Sequence, residues 1–132
     1  MYQVKRGYYH NAKKQTYNNQ KYDSKLEVGY AQELDLRLKA KDIKGWEAQK
    51  QLDLIVNEYI VCNYRIDFVV YHNDGITEYV EMKGVPTALW SLKWKLFEAL
   101  YSELPNTKLT VIYQGAGRRK PKPRKIKTIK NI

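Results

Sequence analysis

Apolar and polar residues alternate along this chain with two different periods. Leu26, Tyr30, Leu34 and Leu38 recur at i, i+4 spacing, which predicts an amphipathic helix from Asp23 or Ser24 to about Lys39. Residues 40–45 break that pattern. Residues 46–56 read as a strand with Leu52, Leu54 and Val56 on one face. Asn57-Glu58 is a turn, and two further β-branched and aromatic runs follow at 59–71 and 76–83. A loop over 84–87 ends in Thr87, which can cap a helix over 88–104 that Pro105 stops. That helix has two apolar stripes: Leu89, Leu92, Leu96 and Leu100, then Trp90, Trp94, Phe97 and Tyr101. A helix apolar on two sides is buried or meets a partner. Residues 108–113 form a last strand, returning after a helical crossover and parallel to its neighbour. The order αβββαβ predicts an α/β fold, a mixed sheet with helices on both faces.

The segment between the second and third strands sets their register. A two-residue loop of Asp74-Gly75 would place Asp67 opposite Met82. A three-residue loop of Asn73-Asp74-Gly75 places His72 opposite Ile76 and Asp67 opposite Glu81. The longer loop suits a type I turn closed by a left-handed glycine. It also sorts the side chains: Ile66, Phe68, Val70, Val80 and Met82 on one face, and Asp67, Val69, Tyr71, Thr77, Tyr79, Glu81 and Lys83 on the other. Opposed like charges cost stability, and a bound cation is the simplest reason to keep them.

Composition places this pattern in one domain. The chain has 132 residues, 43% of them hydrophobic, enough for a core. No apolar run is long enough to span a membrane, and Met1 to Arg6 carries no apolar signal segment. Cys62 is the only cysteine, which excludes an internal disulfide and makes a reducing, cytoplasmic setting the default. The net charge of +10 is unevenly spread: +8 over residues 118–132, +5 over 1–25 and −3 between. A mildly acidic body thus carries two basic arms, suited to a polyanion such as nucleic acid, or alternatively serving as solubilising tails. The expected division is a Tyr-rich basic arm over 1–22, a core over 23–116 and a basic tail over 117–132. The arm's tyrosines can stack on bases, or the arm can order only against a partner. In the tail, Arg118, Arg119 and Lys120 are candidate nucleic-acid contacts.

Asp67, Glu81 and Lys83 are the candidate chemistry. Hard carboxylate oxygens suit Mg²⁺ or Mn²⁺, which keeps several waters and takes only one or two carboxylates. A lysine beside them can orient a water or offset charge on phosphate. The bland alternative is a solvated sheet face with an ion pair. Glu-x-Lys is a cheap pattern, and Asp42-Ile43-Lys44 imitates it in a connection where strand alternation does not apply. Ser24-Lys25-Leu26-Glu27 fits a capping box, although Glu27, one residue off the apolar stripe, can also point at the hairpin. Gln49 is either a site-edge residue or ordinary sheet polarity. Lys93 and Lys95, flanking Trp94, reach phosphate or only solvate the helix rim. His10 and His72 have no partner at metal-ligand spacing, so no zinc site is expected.

Taken in order, Tyr22 to Glu27, Gln49, Tyr64 to Phe68, Glu81-Met82-Lys83-Gly84 and Lys93-Trp94-Lys95 resemble the small phage-encoded nucleases of the PD-(D/E)xK superfamily, related to phage endonuclease I and Holliday-junction resolvases. The resemblance covers residues 20–113. Ile66 stands where the family pattern has proline before the aspartate, and Lys50 where relatives often have an apolar residue. The resemblance implies a restriction-endonuclease-like core and an active site of Glu27, Asp67, Glu81 and Lys83. It implies Mg²⁺ held by Asp67, Glu81 and Glu27, a homodimer, and branched or junction DNA as substrate, cut in a host cytoplasm if the chain is phage-encoded. A non-catalytic nucleic-acid-binding protein on the same scaffold, or a sequence-specific restriction-like nuclease, are the competing expectations.

Overall fold

The computed structural model describes residues 15–114 and 122–126. Two short strands, β1 (Gln15–Tyr17) and β2 (Gln20–Tyr22), form an antiparallel hairpin. Its turn residues Asn18 and Asn19 both take left-handed backbone, φ 51° and 64°. The last third of the expected N-terminal arm is therefore folded, and Tyr22 is buried in the core.

Helix α1 (Lys25–Lys39) starts where Ser24 holds extended backbone and its side chain accepts the Glu27 N–H at 3.2 Å. Arg37 and Lys39 in its last turn complement the helix dipole. Strands β3 (Ile43–Val56) and β4 (Tyr59–His72) form a long antiparallel hairpin around Asn57 and Glu58, φ 51° and 70°. This left-handed pair is what a two-residue hairpin loop demands. β3 begins earlier than the expected Trp46, because Ile43 is a buried core residue and draws the strand back toward the helix.

Strand β5 (Thr77–Lys83) pairs with β4 in the register that the three-residue loop dictates: Phe68↔Val80, Val69↔Tyr79, Val70↔Glu78 and Tyr71↔Thr77. His72 N–H donates to Ile76 O, Gly75 N–H to His72 O, and Gly75 has φ +92°. Helix α2 (Ala88–Tyr101), capped by Thr87 Oγ1 on the Trp90 N–H, crosses over to β6 (Thr107–Tyr113). The helix stops short of the expected residue 104, where a Leu104 N–H to Tyr101 O bond tightens the chain. β6 runs parallel to β5, giving a mixed sheet ordered β3-β4-β5-β6 with a helix on each face. This is the expected α/β layout, compatible with a nuclease-like core. Among the described residues no helix is long and apolar enough to cross a membrane.

Two apolar clusters sandwich the sheet. Ala31 and Leu34 of α1 pack on Phe68, Val70, Val80 and Met82, while Trp90, Trp94 and Phe97 of α2 pack on Tyr64, Ile66 and Val69. Two expectations fail here. Glu27, Ala31 and Leu34 are the buried residues of α1, whereas Leu26 and Leu38 of the expected stripe are 37% and 38% exposed. The helix is rolled by about one position, toward Asp35, which accepts from Tyr17, Asn18 and Trp46. Ile66 packs under α2, not beside Phe68 under α1. The cause is a local twist at Gln49, which has φ +55°, a region L residues rarely adopt. Pairing runs Ala48↔Phe68 and Lys50↔Ile66, with no Gln49↔Asp67 pair between them, and the strand turns its faces over across that gap.

Candidate active site

That twist builds the site. Asp67 lacks a partner in β3, and the β4–β5 pairing ends at Phe68↔Val80, one step before Asp67 would meet Glu81. The strands fork at this point. In a continued ladder Met82 N–H would bond β4 backbone; instead it donates to Asp67 Oδ2 at 2.8 Å. A carboxylate thus replaces a carbonyl in the ladder, fixed in place and pointing into the fork.

The fork opens as a cleft of about 350 Å³. The first turn of α1 contributes Ser24 and Glu27, β4 contributes Tyr64 and Asp67, β5 contributes Glu81 and Lys83, and the first turn of α2 contributes Trp90. The roll of α1 is what turns Glu27 inward. Its amide bonds the Ser24 hydroxyl oxygen, and that hydroxyl donates to Glu27 Oε2 at 3.3 Å. The residue therefore caps the helix through its backbone while its carboxyl stays in the cleft.

Glu27, Asp67 and Glu81 are 6%, 8% and 4% exposed, a burial carboxylates seldom tolerate without partners. Desolvation, with the charges of Asp67 and Asp23, pushes the Glu27 carboxyl up to about 7 against the pull of Ser24. Asp67 is raised by burial and by Glu81, although Met82 N–H, Lys83 and Arg65 pull the other way. Burial also raises Glu81, opposed by the Tyr64 hydroxyl and Lys83. Glu81 Oε1 is buried with no hydrogen-bond partner. Lys83 Nζ lies 5.0 Å from the Trp90 ring centroid, and Trp90 Nε1 donates to the Tyr64 hydroxyl at 3.1 Å. The aromatic face thus seats the ammonium at the cleft while the indole fixes the tyrosine beside Glu81.

A protein-family model described as "Protein of unknown function (DUF1064)" matches residues 7–115. The chain belongs to the DUF1064 family. The match takes in every strand and helix among the described residues and the whole cleft. No curated protein and no solved structure matches the chain.

In this DUF1064 chain the cleft brings together all four expected residues, Glu27, Asp67, Glu81 and Lys83. The carboxylates do not close into a ligand triad: among the described residues no three His, Cys, Asp or Glu side chains form a group that could hold an ion. One oxygen of Asp67 is engaged by Met82 and one of Glu27 by Ser24. The orphaned Glu81 Oε1 and the hard oxygen set nevertheless fit Mg²⁺, which needs few protein ligands.

Gln49, Lys93 and Lys95 do not line the cleft. Gln49 accepts from Gln20 Nε2 at 2.9 Å and donates to Lys21 O at 2.7 Å, so its side chain ties the β1–β2 hairpin to β3. Arg118, Arg119 and Lys120 lie outside the described residues. Sequence reasoning passed over Tyr64 and Trp90 as site residues, taking Trp90 as part of an apolar stripe. Their signal was position: Tyr64 precedes Asp67 by three residues, and Trp90 falls in the first turn of the helix after Lys83-Gly84.

Proposed function

We propose that this chain is a metal-dependent endonuclease that hydrolyses DNA phosphodiester bonds, with branched or junction DNA as its substrate. The observation that carries the reading is the convergence of three nearly buried carboxyls from three elements on one cleft, beside a lysine, with Glu81 Oε1 unsatisfied. Left alone, such a cluster is destabilised by desolvation and mutual repulsion, and a divalent cation relieves both. Mg²⁺, or Mn²⁺ in its place, would supply a polarised phosphoryl oxygen and a bound water of lowered pKa. Asp67 and Glu81 are the residues to hold it, with Glu27 completing the set through water. Asp67 is kept rigid by the Met82 amide. Lys83, seated on Trp90, offsets charge developing on the phosphate and orients the attacking water. The Tyr64 hydroxyl favours the ionised form of Glu81, against the burial that raises its pKa. The preference for branched DNA and a homodimeric state rest on the family resemblance and on the basic arms.

The test is cleavage of a four-way junction and of linear duplex, in Mg²⁺ and in EDTA. Junction cutting that needs Mg²⁺ and is abolished by Glu81→Ala supports the reading. Lys83→Ala is expected to slow it by about 10²–10³-fold. DNA binding without cleavage of any substrate favours a binding module instead. Cleavage that survives both Asp67→Ala and Glu81→Ala rules out this site.

A further inference from the structure

A second, larger groove of about 660 Å³ opens between α1 and the β5–β6 side of the sheet. Leu26 and Met82 line both it and the carboxylate cleft, so the two depressions meet over these side chains. Lys25, Arg37 and Lys108 border the second groove, and Glu33, which also lines it, is ion-paired with Arg37. Its one buried acid, Glu78, is 7% exposed and already engaged, by Thr110 Oγ1 at 2.6 Å, His72 Nε2 at 2.8 Å and Lys108 Nζ at 4.0 Å. Gly29 supplies an independent sign. It sits inside α1, where glycine is about 1 kcal/mol worse than alanine. Its backbone φ is not left-handed, and a Cβ there would meet nothing within 4 Å. No packing contact within the described chain accounts for the missing side chain, and close approach of a ligand would.

We propose that this groove carries the DNA strand that continues from the phosphate in the carboxylate cleft. The strand passes over Leu26 and Met82 and along Gly29, and Lys25 and Lys108 neutralise its phosphates. This rests on the nuclease reading for its direction, from the site outward, but its test does not require cleavage. The chain's own termini, residues 1–14 and 118–132, are themselves basic and match the groove poorly in charge.

The experiment is fluorescence anisotropy of a labelled four-way junction with the full chain in EDTA, over a range of salt. Lys25→Glu with Lys108→Glu is expected to weaken binding at least about tenfold and to flatten the salt slope by about two, since each phosphate contact contributes about 0.9. The reference is Lys44→Glu, which lines neither groove and is expected to change affinity about twofold or less. Gly29→Leu replaces glycine with a good helix former, so it should melt no lower than wild type and still bind several-fold more weakly. Variants that bind like Lys44→Glu, or a Gly29→Leu chain with wild-type affinity, overturn the groove. Wild type that binds no DNA overturns it as well. Wild type that binds but never cleaves in Mg²⁺ overturns the nuclease reading alone, and the groove then stands or falls by the variants' affinities.

Discussion

Glu27, Asp67 and Glu81 keep their protons to higher pH in the folded chain than in the unfolded one, because burial and mutual repulsion disfavour their charged forms. Between the ordinary carboxyl range and about pH 7 the native state therefore binds more protons than the unfolded state, and stability falls as pH rises. Below that window both states are protonated and the contribution is complete; above it the contribution is gone. For Glu27, raised from 4.5 to about 7, the loss is on the order of 3 kcal/mol. Urea melts in EDTA should show stability dropping from pH 5 to 7.5, and Mg²⁺ restoring more of it at pH 8 than at pH 5.5. A metal-free protein whose stability is flat or rises across that range would remove the electrostatic basis of the site. Asp67 calls for a choice of substitution. Asp67→Ala leaves the buried Met82 N–H without an acceptor, at a cost of about 1–3 kcal/mol. Asp67→Asn keeps an acceptor and removes a repelled charge, so it should be at least as stable as wild type in EDTA yet lose Mg²⁺ stabilisation and cleavage. Parallel melts of the two variants, with and without Mg²⁺, separate structural from ligand roles.

Elements carry the same residues to one place through their ends. α1 delivers Glu27 from its first turn, so its cap and its chemistry share Ser24. Ser24→Ala should cost about 1 kcal/mol of stability through the lost cap. It should also move the Glu27 titration further up, since Ser24 is what pulls that carboxyl down. A pH titration of the variant followed by NMR checks the direction, and a downward shift would contradict the assignment. The β4–β5 register was legible because Asn73, Asp74 and Gly75 admit one loop that also sorts the apolar residues. Gly75→Ala, at φ +92°, should destabilise the hairpin by about 1–2 kcal/mol, read from the same melts. The placement of Ile66 was not legible. Alternation assumes a regular strand, and the left-handed backbone at Gln49, a residue with no turn signature, turns the face over at Asp67. The residues alone left Glu27 open between helix cap and cleft for a similar reason: the roll of α1 is set by Asp35 holding Tyr17, Asn18 and Trp46, contacts 11 to 18 residues away in sequence. The site is thus most irregular in its backbone at the step where its chemistry is assembled.

At the scale of the molecule, charge and fold are separable. All the residues of the two core clusters lie between Tyr17 and Tyr113, and the +8 of residues 118–132 falls outside that span. The described piece of the tail meets the body through an ion pair between Lys125 and Glu103, side chains 86% and 72% exposed. Such exposed pairs contribute little to stability. Deleting residues 117–132 should therefore leave the melting temperature unchanged. If the tail's cations contact phosphate, the same deletion should weaken DNA binding and flatten its salt dependence, because fewer counterions are released. The Mg²⁺ requirement and the position of cutting should stay the same, since both reside in the cleft. Thermal melts, anisotropy across a salt series and gel mapping of the cut site on one truncated chain make the comparison. A truncated chain that binds with the full salt slope would shift the phosphate contacts onto the body, to the groove of Lys25 and Lys108. One that cuts at a new position would make the tail part of substrate selection, not only of affinity.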